Sequence, residues 1–331
     1  MNPERIEKGS DVAMKPKVLV TENIHQVGWE TLRADAEAVA WGGQEKQPLL
    51  EAVKDVQAIL VRVAKLTPEV IQAASQLKVI GKHGVGYDNI NIPAATARGI
   101  VVTNTPLANS TSVAEHALAL LLAVARRIGE SDRDLARGAM RSQKVYQGLE
   151  LSGKVMGIIG LGSAGFRLAR MTGQGLGMRV LGFDPYKEPW PEGIERCREV
   201  EPLLAQADFV SIHVPLTKET TNLIGKETLA KMKPTAVLVN TARGGIVDEA
   251  AVAEAVTAGR LAGVGLDVVV DEPLKPSHPL NGVPNILLTA HVAGVTEEAM
   301  MRMARDSAED ILRVLRGERP TYPVNREVLK G

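Results

Sequence analysis

The chain has 331 residues, of which 45% are hydrophobic and 24% are charged. This balance is typical of globular proteins, excludes disordered, collagen-like and membrane-spanning classes, and predicts two domains at roughly 150 residues per domain. The 39 basic and 39 acidic residues give a formal net charge of zero, which argues against a general electrostatic attraction to nucleic acid or to an anionic membrane.

Cys197 is the only cysteine in the chain. An intramolecular disulfide and a cysteine-rich zinc site are therefore excluded, and we expect no metal site and a reducing, cytoplasmic setting. The longest apolar run, residues 117–125, is too short to cross a bilayer. Residues 1–8 lack the apolar stretch of a secretory signal and predict a polar tail, with order beginning near Lys17.

Short β-branched runs alternate with helical patterns along nearly the whole chain, which predicts an α/β protein with parallel sheets. Several runs are apolar throughout, as in strands that helices cover on both faces. The predicted strands are residues 17–21, 58–61, 78–80, 101–103, 155–159, 179–183, 209–213, 236–240, 263–268 and 286–289. Helical periodicity is visible in residues 48–53, 68–75, 112–127 and 296–315.

A glycine-rich sequence, Gly160-Leu-Gly162-Ser-Ala-Gly165, follows the predicted strand 155–159 and opens a helical pattern. The first glycine permits a tight turn, the second lets backbone approach a pyrophosphate, and the third lets helix and strand pack closely. The N–H groups of Ser163 and Ala164 would then point at the phosphates from the start of a helix. The sequence predicts a dinucleotide site here.

Asp184 ends the next predicted strand, about 20 residues beyond the glycines, where an acid accepts hydrogen bonds from the adenosine ribose hydroxyls. Such an acid repels a 2′-phosphate, so the pattern favours NAD over NADP. The alternative interpretation is an ordinary tight turn followed by a solvated aspartate. The chain has no Gly-x-x-x-x-Gly-Lys-Ser/Thr sequence, which argues against a P-loop nucleoside triphosphatase.

Three polar residues follow predicted strands in the second half of the chain: Arg243, Glu272 and His291. Ligands bind at the carboxyl ends of strands in open parallel sheets, so the three could converge on one crevice. Oxidation of a 2-hydroxy acid needs a cation for the carboxylate, a base for the hydroxyl proton and a partner for that base. Taken singly, each residue also fits a surface ion pair, a solvated loop acid or a structural histidine.

Together these features resemble the D-isomer-specific 2-hydroxyacid dehydrogenases, in the branch of the phosphoglycerate and hydroxypyruvate dehydrogenases. The resemblance runs from the first predicted strand near Val18 to Pro323-Val-Asn. Besides the glycine sequence with Asp184, the matching motifs are Gly84-Val-Gly-Tyr-Asp-Asn-Ile, Asn104-Thr-Pro, Ser112-Val-Ala-Glu-His, His213-Val-Pro-Leu, Ala242-Arg-Gly-Gly-Ile-Val-Asp, Leu266-Asp-Val, Glu272-Pro and His291-Val-Ala-Gly.

The resemblance implies an NAD-dependent dehydrogenase with two doubly wound parallel-sheet domains. A flavodoxin-like substrate-binding domain, residues 1–106 and 297–331, would enclose an inserted Rossmann NAD-binding domain, residues 107–296. A homodimer through the NAD-binding domain is expected by analogy, and no regulatory domain is expected after residue 331. The implied substrate is a small anionic 2-hydroxy or 2-keto acid.

The resemblance also implies a role for each site residue. His291 would exchange the hydroxyl proton, Glu272 would hold its other ring nitrogen, and Arg243 would grip the substrate carboxylate. Val85 and Gly86 would bind the same carboxylate through their amides, and Asp267 would hold the nicotinamide carboxamide. The remaining positions that match cofactor contacts are Val113, His213, Val214, Pro215, Thr220, Thr241, Ala242 and Gly294.

Two residues depart from the family pattern, and the second of them bears on the choice of substrate. Ala290 stands where proline is usual, and Val63 stands where serine is frequent, near the distal end of the substrate. Arg62 and Lys82 match positions that line an anion pocket in phosphoglycerate enzymes, although solvated surface charges are the alternative. The open substrates are 3-phosphoglycerate, hydroxypyruvate or glyoxylate, sulfolactate and malate.

Two other functions occur among proteins with a similar sequence pattern. The C-terminal-binding corepressors, which sense NADH as scaffolds without significant turnover, resemble this family and keep the same Arg, Glu and His. A formate dehydrogenase is disfavoured because that branch pairs its histidine with Gln, whereas Glu272 stands here.

Overall fold

The computed structural model describes residues 15–43 and 45–330. The chain divides into two compact units, of which the first contains the chain up to Ala108 and from Met300 onward, and the second contains Asn109–Ala299. The predicted polar tail, residues 1–8, lies outside the described residues.

Within the described residues, the first unit contains a parallel five-stranded sheet in the order β2-β1-β3-β4-β5. This is the flavodoxin-like order, in which the direction of winding reverses between β1 and β3. The strands are β1 Lys17–Val20, β2 Glu37–Ala40, β3 Ala58–Val61, β4 Val79–Lys82 and β5 Val101–Thr103, and the helices between them are α1 Gln26–Asp35, α2 Leu49–Ala52, α3 Pro68–Ala73 and α4 Ile92–Ala97.

The second unit contains a parallel sheet with seven strands among the described residues, in the order β12-β11-β10-β9-β6-β7-β8. Winding outward in both directions from β6 and β9 is the Rossmann arrangement, extended by one strand. The strands are β6 Val155–Ile159, β7 Arg179–Phe183, β8 Glu195–Arg196, β9 Phe209–Ile212, β10 Val237–Asn240, β11 Gly263–Leu266 and β12 Ile286–Leu288, and the helices are α5 Ser110–Ala125, α6 Ile128–Ala136, α7 Ser163–Arg170, α8 Val200–Gln206, α9 Lys226–Leu229 and α10 Glu249–Thr257.

The last helix, α11 Glu297–Leu315, returns the chain to the first unit. Ala304, Ala308 and Ile311 on this helix pack in one buried cluster with Val18 and other side chains of the first sheet. A Cβ at position 81 in β4 would lie 2.7 Å from Ile311, so glycine there lets the helix pack directly on the strand. Tertiary packing thus joins two segments that are far apart in the sequence.

Candidate active site

The glycine turn after β6 has the geometry of a phosphate cradle. Gly160 has φ of 94°, and a Cβ there would lie 2.6 Å from the carbonyl oxygen of His213. A Cβ at Gly165 would clash with the carbonyl of Gly160, whereas a Cβ at Gly162 would meet no described atom within 4 Å. The first and third glycines are therefore required by packing, and the second leaves open space before the start of α7, where N–H groups favour an anion.

Asp184, at the end of β7, is held against this turn. Its Oδ2 accepts the N–H of Leu161 at 2.8 Å, and its Oδ1 accepts the N–H of Tyr186 at 3.0 Å. A carboxylate has about four lone-pair sites, so each oxygen can accept one further hydrogen bond. The residues present fit an adenosine ribose, whose two hydroxyls would use those sites.

Arg243 follows β10 in a turn that buried Asn240 organises. The side chain of Asn240 accepts the N–H of Ala242 at 2.9 Å and donates to the carbonyl of Arg243 at 2.7 Å. A Cβ at Gly244 would clash with the backbone of Val269. The turn after β10 therefore packs directly on the segment after β11. Arg243 is half-buried, and its Nη1 donates to the carbonyl of Ala242 at 2.7 Å.

Glu272 and His291 contact each other. Oε2 of Glu272 lies 2.9 Å from Nδ1 of His291, although the two residues follow different strands. Ionised carboxylates only accept hydrogen bonds, so Nδ1 carries a proton, and in the neutral tautomer of the ring Nε2 has the lone pair. His291 has φ of 54°, in the left-handed region that non-glycine residues rarely adopt.

Asp267, the last residue before the segment that carries Glu272, supports the turn that carries His291. Its Oδ1 accepts the N–H of Val292 at 2.9 Å and its Oδ2 that of Ala293 at 2.8 Å, while its own carbonyl accepts the N–H of His291. Burial alone would raise the pKa of Asp267, but hydrogen bonds from side chains and these amides outweigh it, and the pKa lies below its usual value. Asp267 is thus a buried, ionised anchor.

Glu249, a buried residue in the first turn of α10, holds the segment between Val269 and Leu280. Its Oε1 accepts the N–H of Val270 at 2.7 Å, and its Oε2 lies 3.0 Å from Nε2 of His278. Glu272 lies between these two attachment points. Neither Glu249 nor His278 is predicted from the sequence, because no local sequence pattern links an acid on one helix with a histidine in a later loop.

The remaining predicted cofactor residues of this unit lie in α5, in the segments after β9 and β10, and after His291. The hydroxyl of Thr241 is buried and has no hydrogen-bond partner among the described residues. A buried hydroxyl normally has a partner, so this one fits contact with a bound cofactor. Burial lowers the pKa of His213 to about 4, so its ring is neutral at pH 7 and its Nε2 lies 2.9 Å from the hydroxyl of Ser211.

The predicted substrate residues of the first unit lie at the end of β4 and directly after β3 and β4. Lys82 is buried and bonds to the carbonyl of Arg62 and, at 3.0 Å, to Oδ1 of Asn89. The amides of Val85 and Gly86 have no acceptor among the described residues, and they follow Gly84, whose φ of 135° favours glycine. Two adjacent amides without partners fit an anion such as a carboxylate.

Neither a membrane-spanning helix nor a metal cluster is found in residues 15–43 and 45–330. Each helix there is too short or too polar to cross a bilayer. No group of three or more His, Cys, Asp and Glu side chains in the same residues could hold a metal ion.

Comparison with known proteins places the chain in a family. The model of the D-isomer specific 2-hydroxyacid dehydrogenase, NAD binding domain, matches residues 118–293. The D-3-phosphoglycerate dehydrogenase of Archaeoglobus fulgidus is 45% identical over 305 residues, and the glyoxylate reductase of Korarchaeum cryptofilum is 40% identical over 327 residues. These alignments cover 91% and 96% of this chain, and 58% and 98% of the two relatives.

The fold matches as well. The crystal structure of the TT0316 protein from Thermus thermophilus is similar with a TM-score of 0.85 and 38% identity, over 93% of this chain and 99% of that one. The chain therefore belongs to the D-isomer specific 2-hydroxyacid dehydrogenase family, and residues 118–293 correspond to the NAD-binding domain of that family. The chain spans little more than half the length of the phosphoglycerate dehydrogenases that it matches.

Proposed function

We propose that the protein is an NAD-dependent D-2-hydroxyacid dehydrogenase, which transfers hydride reversibly between NAD(H) and a small anionic 2-hydroxy or 2-oxo acid. The observation that carries the proposal is the 2.9 Å contact between Glu272 and His291 at the ends of two strands of a Rossmann sheet. Arg243 follows a third strand of the same sheet, and the contact of Asp184 with the glycine turn supports a dinucleotide site there.

Proton transfer is assigned to His291. In the oxidation direction Nε2 accepts the proton of the substrate hydroxyl, while the carboxylate of Glu272 keeps Nδ1 protonated and stabilises the imidazolium that forms. NAD, when bound, supplies the acceptor for the hydride that leaves C2 of the substrate. In the reverse direction the imidazolium returns the proton to the oxygen of the 2-oxo acid.

Substrate orientation is assigned to Arg243 and to residues of the first unit. The guanidinium of Arg243 can bind the substrate carboxylate with two parallel hydrogen bonds, which fixes the plane of the reacting carbon. The amides of Val85 and Gly86 are proposed to bind the same carboxylate. We propose that Arg62 binds the distal end of the substrate. Lys82 is assigned to the same end, because its ammonium group bonds to the carbonyl of Arg62 and to Oδ1 of Asn89.

NAD is proposed as the preferred cofactor over NADP, because Asp184 would repel a 2′-phosphate at the ribose. The residues proposed to contact the rest of the cofactor are Val113, Gly160, Gly162, Ser163, Ala164, Gly165, His213, Val214, Pro215, Thr220, Thr241, Ala242, Asp267 and Gly294. We therefore propose that the chain up to residue 106 and from residue 297 onward binds substrate, and that residues 107–296 bind NAD.

The deciding experiment is a panel of 2-oxo acids assayed with NADH by its absorbance, with D- and L-2-hydroxy acids and NAD in the reverse direction. Glyoxylate, hydroxypyruvate, 3-phosphohydroxypyruvate, oxaloacetate and 3-sulfopyruvate cover the substrates that the sequence leaves open. We expect turnover of at least one acid and of only the D-isomer of its product. Tight NADH binding with no turnover of any acid would instead support the corepressor-like scaffold.

We propose a homodimer that forms through the NAD-binding domain. Large apolar side chains are exposed along α5, α6 and the segment that follows: Leu122, Ile128, Leu135 and Met140, of which Met140 is 80% exposed. Exposed apolar side chains that lie close together in the chain are candidates for a protein interface. Light scattering after gel filtration should give the mass of two chains for the parent and of one chain for Met140→Glu combined with Leu135→Glu; a monomeric parent would contradict the proposal.

A cytoplasmic location is proposed on the chemistry of the lone Cys197, which needs no oxidising compartment. Fractionation of cells that produce the tagged protein would test this, with recovery in the periplasmic or membrane fraction as the contradicting result.

A further inference from the structure

Three side chains of the second unit form a chain of hydrogen bonds behind His291. Nε2 of His116, on α5, lies 3.0 Å from the hydroxyl of Thr289, and that hydroxyl lies 2.6 Å from Oδ1 of Asp267. We propose that His116 and Thr289 are positioning residues for proton and hydride transfer, because they hold the Asp267 carboxylate that anchors the turn after His291. This inference rests on the function proposed above.

The direction of each hydrogen bond follows from the chemistry of the groups. An ionised carboxylate has no proton to donate, so Thr289 gives its single hydroxyl proton to Asp267. The Thr289 oxygen then acts as acceptor toward His116, which requires the proton on Nε2 of that ring. The 3.4 Å separation between the same nitrogen and Oδ1 of Asp267 favours the same tautomer. The chain therefore runs from His116 through Thr289 to Asp267.

The carboxylate of Asp267 depends on these donors because only 1% of the residue is exposed. A buried charge is stable only when hydrogen bonds replace its water. The amides of Val292 and Ala293 supply two of those bonds, and Thr289 supplies a third. Without the Thr289 hydroxyl, Oδ1 of Asp267 would lose one of its hydrogen-bond donors, and we expect the carboxylate to rotate toward another donor.

Such a rotation would disturb the base directly. The two amides belong to the residues that follow His291, and the carbonyl of Asp267 accepts the N–H of His291 at 2.8 Å. These bonds hold His291 at its left-handed φ and so keep Nδ1 within 2.9 Å of Glu272. Among the described residues, Oδ2 of Asp267 accepts one hydrogen bond, from the N–H of Ala293. The same bonds therefore orient Oδ2 toward the proposed nicotinamide carboxamide.

Matched substitutions separate this role from simple packing. Thr289→Val removes the hydroxyl at nearly constant volume, and Thr289→Ser keeps it. We expect Thr289→Val to lower kcat about 100-fold, as displacement of a reacting group typically does, with little change in the KM of the 2-oxo acid. Thr289→Ser should keep a kcat close to that of the parent.

The same comparison applies to His116. His116→Leu should lower kcat like Thr289→Val, whereas His116→Gln, whose amide N–H can replace Nε2–H, should restore most of it. The double variant His116→Leu with Thr289→Val should lose little more than the worse single variant, since both break one chain. Fully additive losses, or normal kcat in Thr289→Val, would overturn the proposal.

A spectroscopic measurement needs neither cofactor nor turnover. In alkaline buffer, NMR of the protein with 15N-labelled histidine should show His116 as the Nε2–H tautomer, assigned by its disappearance in His116→Gln. The signal should persist in Thr289→Ser and shift in Thr289→Val. An Nδ1–H tautomer would refute the chain of hydrogen bonds. If no 2-oxo acid is turned over by any variant, the proposed function fails while this spectrum still decides the hydrogen-bonding arrangement.

Discussion

At the scale of single residues, His291 holds a backbone conformation that costs a side-chain-bearing residue of order 1–3 kcal/mol, and such strain is concentrated at functional sites. The structure offsets that cost with three backbone hydrogen bonds to Asp267, from the amides of His291, Val292 and Ala293. The result is an imidazole whose Nδ1 lies 2.9 Å from Glu272, which leaves Nε2 for the proposed substrate.

Replacement of His291 tests the proposed base. His291→Asn is the informative variant, because asparagine tolerates positive φ and the turn should persist. We expect kcat to fall by about 10²- to 10⁴-fold, the usual contribution of a general acid–base, while NADH binding measured by fluorescence is retained. Turnover near that of the parent would assign the proton transfer to another group.

Arg243→Lys tests how the carboxylate is held. Lysine keeps the positive charge but cannot form two parallel hydrogen bonds to a carboxylate. We expect kcat/KM for the 2-oxo acid to fall about 100-fold with unchanged NADH binding. Equal kcat/KM in the variant and the parent would mean that charge alone, or a different residue, orients the substrate.

Asp184→Ala tests the cofactor preference. The variant would lose the two charge-assisted hydrogen bonds proposed to the ribose and the repulsion of a 2′-phosphate. NADH affinity should therefore fall about tenfold or more, and the ratio of kcat/KM with NADH to kcat/KM with NADPH should fall. Steady-state assays with both cofactors give the ratio. A parent enzyme that prefers NADPH would contradict the ribose argument before any variant is made.

At the scale of elements, ten of the twelve strands among the described residues were predicted from sequence, and the exposed edge strands β2 and β8 were not. The ten predicted strands are all present, with bounds that differ by at most two residues, because strands buried on both faces leave continuous apolar runs. The strands β2 and β8 lie at sheet edges and are partly or fully exposed, so their residues carry no such signal. The predicted family and fold class are confirmed.

The site residues also differ in whether the sequence alone predicts them. Arg243, Glu272 and His291 could be selected because each directly follows a predicted strand. His116, Thr289 and Glu249 could not be selected on that basis, because their roles depend on contacts between elements that are distant in the chain. Only the packed structure brings Glu249 to His278, or His116 to Thr289.

Replacement of Glu249 tests whether this residue anchors the segment that carries Glu272. Glu249→Ala would remove the acceptor of the Val270 N–H and the partner of the His278 ring. Water can partly replace both bonds because Val270 is 62% exposed and the His278 side chain 19%, so we expect a loss of about 1 kcal/mol for each bond. The segment that carries Glu272 should loosen, so kcat should fall together with the urea midpoint. Glu254→Ala on the same helix is the control, since its ion pairs are exposed and worth at most about 1 kcal/mol. Equal effects of the two variants would refute the anchoring role.

At the scale of the whole molecule, each unit contains a histidine with a depressed pKa: His83 is buried and His213 is half-buried. Burial, together with the charges of Arg62 and Lys82, lowers the pKa of His83 to about 4, and burial lowers that of His213 to about 4. An unfolded histidine has a pKa of about 6.5. Between these values the unfolded chain binds more protons than the folded one, so stability is present above pH 6.5 and is lost as the pH falls toward 4.

We therefore expect the free energy of unfolding to fall by about 2 kcal/mol per histidine between pH 7 and pH 5. Asp267, whose pKa is lowered, does not act in this window, because its contribution to stability is lost only below the usual aspartate pKa of about 3.8. Urea unfolding at the two pH values measures the change. His83→Leu should flatten the pH dependence, because both ring nitrogens lack hydrogen-bond partners among the described residues and their removal breaks no bond there. A urea midpoint that is equal at pH 7 and pH 5 in the parent would show that the two histidines are not held in the neutral form.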